Sequence, residues 1–337
     1  MALYAIDDLD DAWAATREFL TPFSVKRLLV LAVIVFFVGG TGMSFPGGGG
    51  GGGSPETDPG TEPNLDLVWQ FLVENALAIG LVGGAVLLLV LGFTFVGALM
   101  EFVFVQSLRT DEVRFWRYSR SYLGKGLRLL GFRLALALVW ILPGVAFLGF
   151  VLAGVNPIPE IGGAVLIALV LLAVLLFVLS AVVDAFTTAF VVPVMLVRES
   201  GVLDGWRTFW PALVGEWKQY LAYAIAALVL NIAAGILAVI AVVVVVLAIG
   251  IPTLLVGAVA VAVGGDSIFV IVAIISLVAP IASIVLTWLL VQVPIQTYLR
   301  YYALLILGDA DQELDPIPEI RASVRKPADD RDSSETI

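Results

Sequence analysis

The chain has no cysteine and no histidine in its 337 residues. Without cysteine there is no disulfide and no thiolate nucleophile; without histidine, the usual zinc and haem ligands and the usual neutral-pH acid–base group are gone. Charge is scarce too, at 14 % of residues, against about 25 % in ordinary soluble domains. What there is leans acidic, with a formal net charge of −10, which argues against a nucleic-acid partner. Catalytic signatures are equally missing. There is no G-x-S-x-G elbow and no H-E-x-x-H, and Lys125 lacks the glycine and hydroxyl residue of a P-loop. The glycine run in "PGGGGGGGSPETDPGTEPN" satisfies a dinucleotide fingerprint only trivially, since no strand precedes it and no helix opens on it. The pairs Asp7/Asp8, Asp10/Asp11 and Asp329/Asp330 are adjacent in acidic runs and read as solvated rather than catalytic. No catalytic residue, metal ligand or cofactor is expected.

What is abundant is apolar residues, 61 % of the chain, in uninterrupted runs of the kind that face lipid. Arg and Lys occupy four clusters, Arg17 to Arg27, Arg109 to Arg133, Arg198 to Lys218 and Arg300 to Arg331. The intervals 28–108, 134–197 and 219–299 contain none. Because a spanning helix needs about 20 apolar residues, each interval holds an out-and-back pair. The expectation is an all-α, polytopic membrane protein with six transmembrane helices in three hairpins, near 27–43, 76–100, 134–154, 161–183, 221–247 and 268–291. Every cation then lies on one side, which the positive-inside rule makes cytoplasmic, for both termini, in the cell membrane. The apolar piece Ile251 to Val263 is too short for a span and reads as an external loop or a shallow re-entrant segment.

Three regions follow: a cytoplasmic amphipathic segment over 1–23, the membrane domain over 24–308 and an acidic tail over 309–337, disordered from about Arg321. The opening is acidic and reads as a short helix with Ile6, Leu9, Trp13, Thr16 and Leu20 on one face, ended by Thr21-Pro22, rather than as a cleaved signal. A Gly/Pro-rich external linker occupies about 44–64.

The first cytoplasmic connection, "RTDEVRFWRYSRSYLGKGLRLLGFR", places Arg114, Arg117, Lys125 and Arg128 on one helical arc and Trp116 with Leu123, Leu127 and Leu130 roughly opposite, with Gly124 and Gly126 as possible breaks. That pattern suits a helix in the headgroup layer. The second carries Leu203, Trp206, Trp210, Leu213 and Trp217 at 3-4-3-4 spacing, with Arg207 and Lys218 off the stripe and Pro211 dividing it into two helices. Interfacial anchoring is the plainer reading of these aromatics, lipid recognition the sharper one. The stretches "EFVFVQSLR", "FVVPVMLVR" and "QVPIQTYLR" echo one another where the second, fourth and sixth spans re-emerge, as a parallel repeat would.

Within the spans, Glu101 and Asp184 are the ionisable candidates, near the cytoplasmic ends. They either pair with an arginine or line a path. Asn231 and Gln292 are read as interhelical hydrogen-bond formers. Gly80-x-x-x-Gly84 permits close packing within or between chains. Pro143, Pro193, Pro280 and Pro294 mark kinks or helix starts.

The stretches "LRTDEVRFWRYSRSYLGKGLRLLGFRL", "FVVPVMLVRESGVLDGWRTFWPAL" and "VPIQTYLRYYALLILGDADQELDPIPE" together resemble a family of uncharacterised multi-pass membrane proteins from halophilic archaea. Fourteen Arg to four Lys and acidic loops fit salt adaptation. The middle stretch is similar, more distantly, to the membrane domain that accompanies some glycerophosphodiester phosphodiesterases. The resemblance implies architecture and carries no catalysis, since the metal-binding carboxylate and histidine motifs are absent. The expected role is non-enzymatic, a lipid-interacting or scaffold component with membrane lipids, and membrane proteins or further copies of itself, as partners. A transporter or channel with a path near Glu101, Asp184 and Asn231, and an enzyme acting on lipid, are the alternatives.

Overall fold

The computed structural model describes residues 4–21, 24–40, 70, 73–152, 158–263 and 266–325, and the regular structure among them is entirely helical. The expected external linker lies outside the described residues. In chain order the helices are α1 (Tyr4–Leu20), α2 (Val25–Gly40), α3 (Ala76–Thr110), α4 (Phe115–Ser121), α5 (Leu123–Leu152), α6 (Ile158–Phe186), α7 (Val192–Val197), α8 (Val202–Gly215), α9 (Trp217–Val245), α10 (Ile251–Val263), α11 (Asp266–Ala310) and α12 (Pro318–Val324). Among the described residues, five continuous apolar rods are long enough to cross a bilayer: Ala76–Thr110, Leu123–Val145, Ile167–Val197, Trp217–Val259 and Ile274–Ala310. Helix α2 has 16 described residues, short of the about 20 that a span requires.

Two zones follow from the sequence. Leucines, valines and isoleucines over 77–93, 167–182 and 221–249 stand largely exposed, which only a lipid environment tolerates. At the cation-rich end the same rods converge on a packed core. There Phe102, Phe104, Leu108, Phe190, Met195, Phe209, Tyr220 and Tyr302 are buried together. The first and last described helices pack on this core, α1 against α11 and α12 against α1.

Helix α1 forms where expected, but its face is rotated. Of the expected face Thr16 is buried and Leu9 and Leu20 half-buried, but Ile6 and Trp13 are exposed, and Ala5, Asp8, Ala12, Ala15 and Phe19 are buried instead. The buried set keeps the 3-4 spacing one residue earlier. Alanines let the α1 backbone approach α11 closely enough for Tyr302 Oη to donate to the Ala5 carbonyl at 2.7 Å and Tyr298 Oη to the Leu9 carbonyl at 3.2 Å.

Residues 251–263 are not a loop. They form α10, which continues α9 through a π-helical turn at Val246–Gly250. In that turn the Ile251 N–H bonds the Val246 carbonyl, so Pro252 is absorbed by a wider turn instead of breaking the rod. A Cβ on Gly257 would stand 2.6 Å from Ser276 Oγ, so α10 packs hard on α11. The piece need not span alone, because it is the end of a longer helix.

Pro211 does not divide the second connection; α8 runs through it and the break falls at Glu216. One lost hydrogen bond is tolerated inside a helix whose Val202, Gly205 and Phe209 are anchored in the core. The first connection breaks at Tyr122, and Gly124 and Gly126 sit inside the first turn of α5. Gly126 lies against Leu99, whose Cα would be 3.2 Å from an added Cβ. Gly80 and Gly84 meet nothing within 4 Å, so the G-x-x-x-G pair makes no packing contact among the described residues.

The tail is ordered further than expected. Arg321 pairs with Asp309 at 3.0 Å and Asp315 at 2.6 Å, and Arg325 with Asp8, Asp11 and Asp309 at 2.6–2.8 Å. Oppositely charged partners close in space but remote in sequence hold a segment that local composition marks as unstructured.

Candidate functional site

Where the lipid-facing zone meets the core, four rods bring ionisable groups together. Glu101 of α3 accepts from Arg300 of α11. Arg133 of α5 donates from Nε to Asp184 Oδ1 of α6 at 2.9 Å and from Nη2 to Thr188 Oγ1 at 2.8 Å, and it stands 3.6 Å from Glu101. Arg300 also donates to the Thr188 carbonyl.

The sequence makes that last acceptor available. Thr187–Val191 is a second π-helical turn, in which the Val192 N–H reaches back to the Thr187 carbonyl. In the same register the Thr188 carbonyl would need an N–H from residue 193, which is proline. The Val192-Pro193 pair thus leaves a backbone acceptor open inside the protein, and a guanidinium fills it, as buried polar groups require.

These groups line a cavity of about 360 Å³, completed by Tyr223, Asn231 and Gln296. An adjoining cavity of about 340 Å³ lies between α3, α5 and α6; it is lined by Thr94, Leu136, Ala137, Trp140, Phe177, Ser180 and Ala181 and shares Arg133 and Asp184 with the first. The side chain of Arg133, at the junction, is 9 % exposed, and its Nη1 has no hydrogen-bond partner. Measured along the helices at about 1.5 Å per residue, the cluster is about 38 Å from Ala76 and about 39 Å from Ile158. A hydrocarbon core of about 30 Å fits in that length, so the charges sit at its cation-rich boundary.

Of the predicted intramembrane candidates, Glu101, Asp184 and Asn231 share the polar cavity, and Gln292 lies outside it. Asn231 makes its bond within its own helix, donating to the Ala227 carbonyl at 2.7 Å, not across helices. Arg133, Arg300, Gln296 and Thr188 were not singled out from sequence. Arg133 closes one cation cluster and Arg300 opens another, so both read as loop ends. The available signal was their flanks, since Arg133 opens a long uncharged run and Arg300 has apolar residues on both sides.

The interface candidates divide. Arg114, Trp116, Arg117, Arg128, Arg207, Trp210 and Trp217 are exposed, Arg114 and Arg207 pairing with Glu112 and Asp204. Lys125 and Trp206 turn inward, Lys125 to the Met195 carbonyl at 3.0 Å and Trp206 Nε1 to Thr187 Oγ1 at 3.0 Å. The predicted stripe on α8 is thereby split. Phe209 enters the core, Trp206 caps the π turn, and Leu203, Trp210 and Trp217 remain outside.

A second ionic cluster joins the chain ends. Burial, reinforced by Asp309, pushes the Asp8 carboxyl up to about 7 against the opposing field of Arg325. Among the described residues, no group of acids is arranged to hold a metal ion.

The fold and its exposed apolar rods define a multi-pass helical membrane protein. Residues 3–317 match the model of a family of unknown function, DUF7544, and the chain belongs to that family. No curated protein and no solved structure matches the chain.

Proposed function

We propose that this is a non-enzymatic, lipid-binding membrane protein whose two adjoining cavities hold one amphiphile, the head in the polar chamber and the chain in the apolar one. The observation that carries this reading is a pair of neighbouring cavities that share Arg133 and Asp184 as lining, one largely polar and one lined by Leu136, Ala137, Trp140 and Phe177. Small-molecule sites are concave and mostly apolar with a few convergent polar groups, as here. The tryptophans left outside on α8 and α9 suit anchoring at the same interface.

In this reading α2 is the first of six spans, paired with α3, and both termini lie in the cytoplasm. The packing of α1 and α12 on one end fits an even number of crossings, and the cation asymmetry supports the same threading. The resemblance to membrane proteins of halophilic archaea, and more distantly to the phosphodiesterase membrane domain, is compatible and adds architecture alone.

Protein purified in mild detergent is expected to retain lipid near one per chain by native mass spectrometry. Ala181→Phe, which fills the apolar chamber, removes room for about two methylenes and is expected to weaken retention about tenfold. A fully delipidated wild type would overturn the reading. A transporter or channel is the second reading, favoured by Glu101, Asp184 and Asn231 sharing one cavity. Against it, both acids are held by arginines and the cluster lies at the boundary of the hydrocarbon zone, not at its middle.

A further inference from the structure

We propose that α1 is a lipid-docking helix that lies in the plane of the membrane, with Ile6, Leu9, Trp13 and Leu20 set into the acyl chains of the cation-rich leaflet. The inference needs only that α11 crosses the bilayer, and it is independent of the amphiphile reading.

Two contacts set the direction of α1. Its first turn meets Tyr302, whose Oη donates to the Ala5 carbonyl at 2.7 Å; its last turn meets Tyr301, whose ring centre lies 6.0 Å from that of Phe19. Ala5 and Phe19 are about 21 Å apart along α1, whereas the two tyrosines are neighbours on α11. Helix α1 therefore runs across α11. Since α11 crosses the bilayer, α1 lies close to the membrane plane. The crossing falls within a turn of Arg300, whose ion pair with Glu101 belongs to the cluster at the hydrocarbon boundary.

Further contacts set the rotation of α1. Helix α11 runs from its lipid-exposed stretch, 274–286, towards Ala310. On the lipid side of the crossing, Tyr298 donates to the Leu9 carbonyl at 3.2 Å and meets the Trp13 ring edge-on at 6.4 Å. On the other side, Asp8 and Asp11 bind Arg325, which also binds Asp309. At about 100° per residue, Leu9, Leu20, Trp13 and Ile6 occupy one arc of about 60°, roughly opposite Asp11 and Glu18. That arc is thereby turned towards the bilayer, and Ile6 and Trp13 on it are 59 % and 62 % exposed. It also continues into an apolar surface of the membrane zone, because α2 opens with Val25, Leu29 and Val33 exposed at four-residue spacing. Arg17 borders the arc and Lys26 follows it, both exposed, where phosphates would lie. A helix with one face of large apolar side chains and cations at its margin suits the boundary between headgroups and acyl chains. The alanine face serves α11, and the face of larger side chains serves lipid.

The test uses the full chain in phosphatidylcholine liposomes, spin-labelled at single cysteines in Ile6→Cys, Asp7→Cys, Trp13→Cys and Glu18→Cys; no native thiol competes. All four side chains are exposed, so the label does not enter the contact with α11. Labels at 6 and 13 are expected to collide more with lipid-dissolved oxygen than with a water-soluble nickel chelate, and labels at 7 and 18 the reverse. A preference for nickel at all four positions puts the face in water and overturns the proposal. Shielding of 6 and 13 from both reagents overturns it as well, and spin–spin broadening at those positions would name a second copy as the occupant. Unlabelled protein gives a measure that no cysteine variant can disturb. Phosphatidylcholine brominated high on its acyl chains quenches tryptophan in contact with lipid, so Trp13→Phe is expected to reduce the emission that bromine removes. An equal loss of emission in wild type and Trp13→Phe overturns the docking of this face.

Discussion

Glu101 is 1 % exposed and has Arg300 as its direct partner. Replacing it by glutamine leaves two guanidiniums facing a single carboxylate, that of Asp184. Removing one partner of a buried pair costs about 3–5 kcal/mol. Glu101→Gln is thus expected to lower the detergent-solubilised unfolding midpoint clearly, followed by tryptophan fluorescence, and Glu101→Leu/Arg300→Leu to lose less than the sum of its single variants. Gly205 is constrained by space. A Cβ there would meet Val191 Cγ1 at 2.8 Å and Met195 Cγ at 3.2 Å, so Gly205→Ala forces α8 off the π turn. The expected loss is about 1–3 kcal/mol by the same measurement.

At the scale of elements, prolines act by what they withhold. Pro193 denies an N–H to the π turn, and Arg300 takes up the carbonyl left open. Pro193→Ala restores a donor, lets the segment relax towards α-helix and competes with Arg300 for that region. Amide exchange over 187–193 should slow while the Arg300 contact weakens. The union of α1 and α12 carries a pH dependence with a definite sign. Asp8 has an ordinary value of 3.8 and in the folded protein about 7. An acid whose value is raised on folding favours the folded state most below the lower value, and loses that contribution as pH rises to the upper one. Thermal stability is expected to fall between about pH 4 and 7 on this account and to level off above. Asp8→Asn should flatten that slope. Helix α1 itself was legible from spacing, but its face was not: Ile6, Leu9 and Trp13 outrank Ala5, Ala12 and Ala15 in hydrophobicity, and only the nearness of α11 rewards the smaller residues.

Across the whole molecule, long helices with exposed apolar faces rise from a packed, ion-paired base. Lacking native thiols, the chain reports its own orientation once single cysteines are introduced. On intact cells an impermeant maleimide is expected to label Ser54→Cys, and to label Ala322→Cys, on the exposed side of α12, only after permeabilisation. The opposite pattern would invert the orientation and move the amphiphile site to the outer leaflet.

Membrane residence and the positions of the apolar rods were written in the sequence, because lipid exposure is a property of uninterrupted runs and cation avoidance a property of whole intervals. So were Glu101, Asp184 and Asn231, since polar groups in apolar runs stand out one residue at a time. The partners of the two acids did not. Arg133 and Arg300 look like loop ends until four rods cross, and the Thr188 carbonyl is left open only because the residue five positions on is Pro193, and it is filled only because an arginine from α11 lies beside it. Likewise the ordering of Arg321 and Arg325 depends on Asp8 and Asp309, charges that meet only in three dimensions. Local pattern determines which segments leave water; pairing between distant segments decides which charges are buried together, because Coulomb attraction and the cost of desolvation depend on distance in space and not along the chain.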